Sequence, residues 1–110
     1  MVKFTVKQGC LIAKVSGDID QHNAVALREE TDIKISHENV KNLIFDFTNL
    51  DFMDSSGLGI IIGRYKTISA LGGRVAIAVT KPTIRKLLEL SGINKIMYVT
   101  ESLTDALKSL

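Results

Sequence analysis

One cysteine, one proline, no tryptophan and few other aromatics leave this chain without several of the usual means of stabilising a small domain. Cys10 stands alone, so it forms no internal disulfide and seeds no cysteine-based metal site. Its setting reads as a small, half-buried strand residue rather than a reactive thiol. The apolar run Val75–Val79 is typical of the chain and far short of the ~20 residues needed to span a bilayer. The opening Met1-Val2-Lys3-Phe4-Thr5-Val6-Lys7 alternates like a strand and lacks the pattern of a signal peptide. A net charge of +2 is too small to argue for nucleic acid. Lys81, Arg85 and Lys86 do cluster, but with no aromatic platform beside them they read as a solvated face. These absences point to a cytoplasmic protein with no membrane and no nucleic-acid partner.

What is present is aliphatic. Hydrophobic residues make up 45% of 110 positions, and a fold of that length buries roughly 65% of the surface its unfolded chain exposes. No linker, repeat or low-complexity tract divides the sequence, so residues 1–110 are read as one domain.

Val2, Phe4 and Val6 alternate with polar residues as in a half-buried strand. Gln8-Gly9 turns the chain, and Cys10 to Val15 forms the hairpin partner. Gly17-Asp18-Ile19-Asp20 reads as a polar loop before a helix with Ala24, Leu27, Thr31 and Ile35 inward, capped by Asp20 or Asn23. Glu29, Glu30 and Asp32 line its outside. Val40 to Phe47 suits a central strand. A second helix is expected up to Leu71, with Leu58, Ile61, Ile62, Tyr65 and Ile68 as its buried stripe and Gly72-Gly73 as its stop. Arg74 to Val79 is a strand, and Pro82 opens a third helix with Ile84, Leu87 and Leu88 inward. Ile96 to Val99 is a short strand. Ser102 and Asp105 open a last helix that buries Leu103, Ala106, Leu107 and Leu110. An initial hairpin followed by alternating helices and strands implies an α/β fold around a mixed sheet.

Asp54-Ser55-Ser56-Gly57-Leu58-Gly59 is the most informative run. It places two hydroxyls and a carboxylate at a helix start, where backbone N–H groups lack partners and the dipole favours negative charge. One cap would suffice there. The surplus, together with glycines that strip side chains from the first turn, suggests a site that another molecule approaches. A serine at that place is exposed and would tolerate a phosphate.

Other chemistries fit less well. The run does not match the hydrolase elbow G-x-S-x-G, and the only candidate bases are His22, in the loop after Asp20, and His37, in an exposed turn. Gly57-Leu58-Gly59-Ile60-Ile61-Ile62-Gly63 is near the dinucleotide fingerprint, but its last glycine comes late. The ribose-binding acid is missing from Ile77-Ala78-Val79-Thr80-Lys81. Gly63 is more simply a helix-packing glycine. Asp18, Asp20, Asp46, Asp51 and Asp54 have no calcium-loop spacing and read as caps and turn-formers.

These residues together resemble the STAS-domain anti-sigma factor antagonists, most closely those of the sporulation sigma-F switch. The resemblance spans nearly the whole chain. It rests on Gly17-Asp18-Ile19-Asp20 followed by His22, Phe52-Met53-Asp54-Ser55-Ser56-Gly57-Leu58-Gly59, Gly63-Arg64-Tyr65-Lys66, Gly72-Gly73 and Leu90-Ser91-Gly92-Ile93. It implies a STAS fold, a mixed sheet of four to five strands with four helices. It also implies a non-enzymatic protein without cofactor that binds an anti-sigma factor, itself an ATP-dependent serine kinase, and so frees the sigma factor. Phosphorylation of Ser55 would end that binding, and a serine phosphatase would restore it. Asp20, Asp54, Ser56, Gly57 and Gly59 carry over as partner-contacting or positioning residues. Lys81, where a serine usually caps the third helix, and Thr31, on a usually aliphatic face, depart from the pattern. A general-stress antagonist is the runner-up, a nucleotide-binding STAS module stands further off, and a monomer is expected. The absence of a membrane segment and the look of both ends argue against a piece of an anion transporter.

Overall fold

The computed structural model describes all residues 1–110. Its strands are β1 (Val2–Lys7), β2 (Cys10–Val15), β3 (Gly17–Ile19), β4 (Asn42–Phe47), β5 (Leu50–Met53), β6 (Val75–Val79) and β7 (Tyr98–Thr100). Its helices are α1 (Ala24–His37), α2 (Ser55–Ala70), α3 (Pro82–Leu90) and α4 (Leu103–Ser109), with a 3₁₀ turn at Ile93–Lys95. Five strands form the main sheet in the order β1-β2-β4-β6-β7. Only β1 and β2 are antiparallel, with Lys7 opposite Cys10, and the other neighbours run parallel. The hairpin turn needs left-handed backbone at two positions, met by Gln8 (φ 55°) and Gly9 (φ 77°). The parallel pairs are bridged by α1, α2 and α3, as a parallel connection requires. The expected mixed sheet and four helices are therefore present.

Strand periodicity divides the core in two. Leu11, Ala13, Val15, Leu43, Phe45, Phe47, Val75, Ile77 and Val79 join the larger cluster, together with Leu27 and Ile35 of α1, Ile61 and Ile68 of α2, and Ile84 and Leu88 of α3. The opposite face offers Cys10, Ile12, Ile44, Ala76 and Ala78 to Ala106 of α4. Alanines on that face let a helix as short as α4 lie close to the sheet. Leu103, Leu107 and Leu110 are only half-buried there.

Several boundaries differ from expectation. Gly17–Ile19 is not a loop: it pairs with β5 in a separate two-stranded parallel sheet. β5 itself was not anticipated. β4 starts at Asn42, β6 at Val75 and β7 at Tyr98, the last displaced by the 3₁₀ turn. On α1 Leu27, Thr31 and Ile35 are buried as expected, while Ala24 is half-buried. On α3 Ile84 and Leu88 are buried and Leu87 is partly so. The buried face of α2 is Gly57, Ile60, Ile61, Arg64 and Ile68, with Leu58, Ile62 and Tyr65 at its margin. Gly63 is no packing glycine, since a Cβ built there meets nothing within 4 Å. α2 ends as expected: Gly72 (φ 81°) turns the chain, its N–H donating to the Ser69 carbonyl at 3.0 Å and that of Gly73 to Ile68 at 2.9 Å.

Candidate functional site: the start of α2

The small β3–β5 sheet builds this site. Ile19 pairs with Met53, and the Asp54 N–H donates to the Ile19 carbonyl at 3.0 Å. The residues that follow each strand, Asp20 and Asp54, are thereby brought to one end of the molecule. Asp54 has extended backbone and caps α2, its Oδ1 accepting from the Ser56 N–H at 2.8 Å. Asp20 serves its own turn: its Oδ1 accepts from the N–H groups of His22 (2.9 Å) and Asn23 (3.2 Å). Asn23 returns the bond, Oδ1 accepting from the Asp20 N–H at 3.0 Å and Nδ2 donating to the Asp18 carbonyl at 2.7 Å. Asp20 is therefore the side-chain cap before α1; Asn23, at the cap position, makes no such bond into the helix.

The four residues after Asp54 face different ways. Ser55, the first residue of α2, is exposed, and Ser56 is half-buried. Gly57 is buried, and a Cβ there would collide with the Met53 side chain. Gly59 is exposed, with nothing within 4 Å of a built Cβ. The two glycines thus do different work. Gly57 lets α2 lie on β5, while Gly59 keeps the outer surface clear.

Beside Ser56 an open groove of about 340 Å³ runs between α1 and α2, lined by Val25, Arg28, Gly59, Ile60 and Arg64 among others. The Arg64 guanidinium is buried; its Nε lies 2.8 Å from Asp32 Oδ1, an ion pair whose N–H is not aligned for a hydrogen bond. Val25 and Phe52 are each 52% exposed. Sequence reasoning gave no role to Val25, Arg28 or Phe52. Phe52 lies in the exposed middle of the unanticipated β5, beside Asp51. Nothing in the sequence marked Val25 or Arg28.

The remaining candidates are elsewhere engaged. Lys81 makes no capping bond for α3; its Nζ lies 3.1 Å from Asp51 on β5. Asp46 is buried and accepts from the Thr48 hydroxyl at 2.7 Å. No three acidic, histidine or cysteine side chains gather in a group able to hold a metal ion. His22 and His37 are exposed, and neither imidazole bonds to Ser55 or Ser56. Burial raises the Cys10 thiol above its ordinary range, partly offset by a hydrogen bond with Asn42. No helix is long and apolar enough to cross a membrane.

A five-stranded mixed sheet whose second long helix starts on an aspartate-capped serine pair, the first serine exposed and the second half-buried, is the arrangement to be placed among known domains. Residues 1–106 match the STAS domain, and the chain belongs to that family. The anti-sigma F factor antagonist of Paenibacillus polymyxa is 39% identical over 103 residues, covering 94% of this chain and 88% of that one. The anti-sigma factor antagonist SpoIIAA in its unphosphorylated form superposes with a TM-score of 0.84 at 27% identity, over 99% of this chain and 95% of that one. The Bacillus cell fate determinant SpoIIAA in its phosphorylated form gives 0.76 at 27% identity, over 99% and 98%. Within the family the chain groups with the anti-sigma factor antagonists.

Proposed function

We propose that this domain is a non-enzymatic, phosphorylation-gated antagonist of a sporulation-type anti-sigma factor. The unmodified form binds an anti-sigma factor that is also a serine kinase and so releases the sigma factor. The kinase transfers the γ-phosphoryl group of ATP to the Ser55 hydroxyl, leaving ADP, and the complex dissociates. A serine phosphatase hydrolyses the ester and restores binding. The protein acts in the cytoplasm as a monomer, without cofactor, membrane or nucleic acid.

One observation carries this reading: Ser55 is exposed at the first position of a helix whose start is held from both sides, by the Asp54 cap and by the bond from Asp54 N–H to Ile19. A kinase reaches such a hydroxyl without unfolding anything. Ser56 and Gly59 lie on the partner-facing rim, whereas Asp20, Asp54 and Gly57 position the backbone behind it. Val25 supplies apolar contact area in the groove beside Ser56.

The energetics are adequate. A phosphate adds about −1.5 to −2 charge at neutral pH, and at a helix start that charge is locally favourable. The modified domain therefore stays folded, consistent with SpoIIAA having been solved in both forms on this fold. Loss of binding then arises in the complex, where an unmatched charge in a buried contact costs about 3–5 kcal/mol. Turning a mostly bound complex into a mostly free one takes up to about 5.5 kcal/mol.

Phosphopeptide mapping after incubation with the cognate kinase and ATP tests the assignment. Ser55→Ala is expected to accept no phosphate yet still bind the kinase, and Ser56→Ala to be phosphorylated as before. Phosphate found on Ser56 overturns it.

A further inference from the structure

A second cleft, roomier than the groove beside Ser56, lies away from Ser55. It has a volume of about 490 Å³ and lies between the second half of α2, the start of β6 and the segment joining the 3₁₀ turn to β7. Tyr65 and Ser69 face it from α2, Arg74 from the residue before β6, and Asn94, Lys95 and Tyr98 from the far wall. With a rise of 1.5 Å per residue, Ser69 stands about 21 Å along α2 from Ser55. The cleft and the α1–α2 groove share no lining residue, and Ser55 lines neither.

Its lining has a definite chemistry. Two cations, Arg74 and Lys95, face it and no carboxylate does. The ion pairs of the chain engage Arg64 and Lys81, and neither cation of the cleft takes part in one. The Arg74 backbone N–H is bonded to Asn42 Oδ1 at 2.8 Å, which fixes the base of that side chain and leaves its guanidinium uncommitted. The side chains of Lys95, Asn94, Ser69 and the two tyrosines likewise make no hydrogen bond inside the chain. Most of these groups are well exposed, Tyr98 at 45%. Both tyrosines of the sequence are gathered here. Tyrosine faces accept flat rings, and guanidinium and ammonium groups accept phosphate or carboxylate. The volume falls within the range of about 300–1,000 Å³ common to small-molecule sites.

We propose that this cleft binds a small anionic ligand that carries a flat ring, its charge held by Arg74 and Lys95 and its ring lying against Tyr65 and Tyr98. Neither element alone accounts for the lining. A bare anion makes no use of the tyrosines, and a neutral aromatic leaves two cations facing it without a counter-charge. The site is independent of the Ser55 switch and stands whether or not that reading holds.

Phenyl phosphate is the probe, read by the ring resonances of ring-labelled tyrosine in the full chain. With only two tyrosines, both in the cleft, every signal reports on it, and Tyr65→Phe assigns the pair. Saturable shifts of both residues are expected with a dissociation constant of about 1 mM or tighter. Inorganic phosphate and phenol, as the two halves of the probe, should each bind about tenfold more weakly. Arg74→Gln and Lys95→Gln, both at exposed positions, should each weaken phenyl phosphate by about tenfold, while Lys108→Gln on α4 leaves it unchanged. Circular dichroism verifies that each variant is folded. Absence of saturable shifts, inorganic phosphate binding as tightly as the probe, or an Arg74→Gln protein with undiminished affinity would each overturn the proposal.

Discussion

Gly57→Ala and Gly59→Ala are the same chemical change, two residues apart on one helix, yet the structure predicts opposite effects on stability. In a helix alanine is favoured over glycine by about 0.5–1 kcal/mol. At Gly59 nothing lies within 4 Å of the added Cβ, so the full gain is realised. For a domain of this size that raises the melting temperature by about 3–6 °C. At Gly57 the added carbon meets the Sδ and Cγ atoms of Met53, with Ile19 Cγ2 at 3.4 Å. Met53 is itself buried, at 5% exposure, so its side chain has little room to withdraw. Overpacking of this kind costs about 1–3 kcal/mol. Net of the helix gain, Gly57→Ala should lose up to about 2.5 kcal/mol. Partner binding should respond differently, because the Gly59 methyl enters the α1–α2 groove while the Gly57 methyl stays inside. Urea unfolding of both variants, each paired with a kinase-binding titration, decides the matter. Two variants shifted in the same direction would refute the division between an inward and an outward glycine.

Three further outcomes follow from the geometry. Asp54→Ala removes the cap on the Ser56 N–H and should cost about 1 kcal/mol in thermal unfolding, with Asp54→Asn retaining most of the stability. Thr31 is fully buried with its hydroxyl on the Leu27 carbonyl at 2.7 Å; because that carbonyl belongs to the helix ladder, Thr31→Val should change the unfolding free energy from urea titration by less than about 1 kcal/mol. Burial raises the Cys10 thiol, so the unfolded chain gives up that proton first as pH rises. Its contribution to stability is intact below the unfolded thiol's range and is lost as pH climbs from there toward the folded one; Cys10→Ala should lack this alkaline slope in urea titrations, and thiol labelling of the native chain should track unfolding.

Sequence alone located the hairpin, the three parallel strands, all four helices and the capped serine, because each carries a strong local signal. The Ser102 cap, the Gly72 stop and Pro82 at the head of α3 belong to this group, whereas the choice of Asp54 among three candidate caps of α2 came from the structure. What escaped was short or tertiary. β3 is a three-residue strand, Gly17–Ile19, whose polar composition imitates a turn, and it exists only through its pairing with β5. Leu50–Met53 buries its two ends and exposes its middle, a pattern that matches neither strand nor helix periodicity. On α2 the inner face includes Gly57 and Arg64, which no hydrophobic pattern would select. Arg64 is buried because Asp32 of α1 meets it, a pairing between residues far apart in sequence. The site was legible as a run of residue types, but the distinction between Ser55, held outward, and Gly57, folded inward, required the packing of α2 on β5.

The central claim is that modification at Ser55 acts on the complex and leaves the domain itself intact. Isothermal titration of the cognate anti-sigma kinase into the unmodified and the Ser55-phosphorylated protein, with melting curves of both, addresses it directly. The account predicts unfolding free energies that agree within about 1 kcal/mol and an affinity reduced by about 3–5 kcal/mol. Equal affinities, or a phosphorylated domain that has lost its helicity, would contradict it.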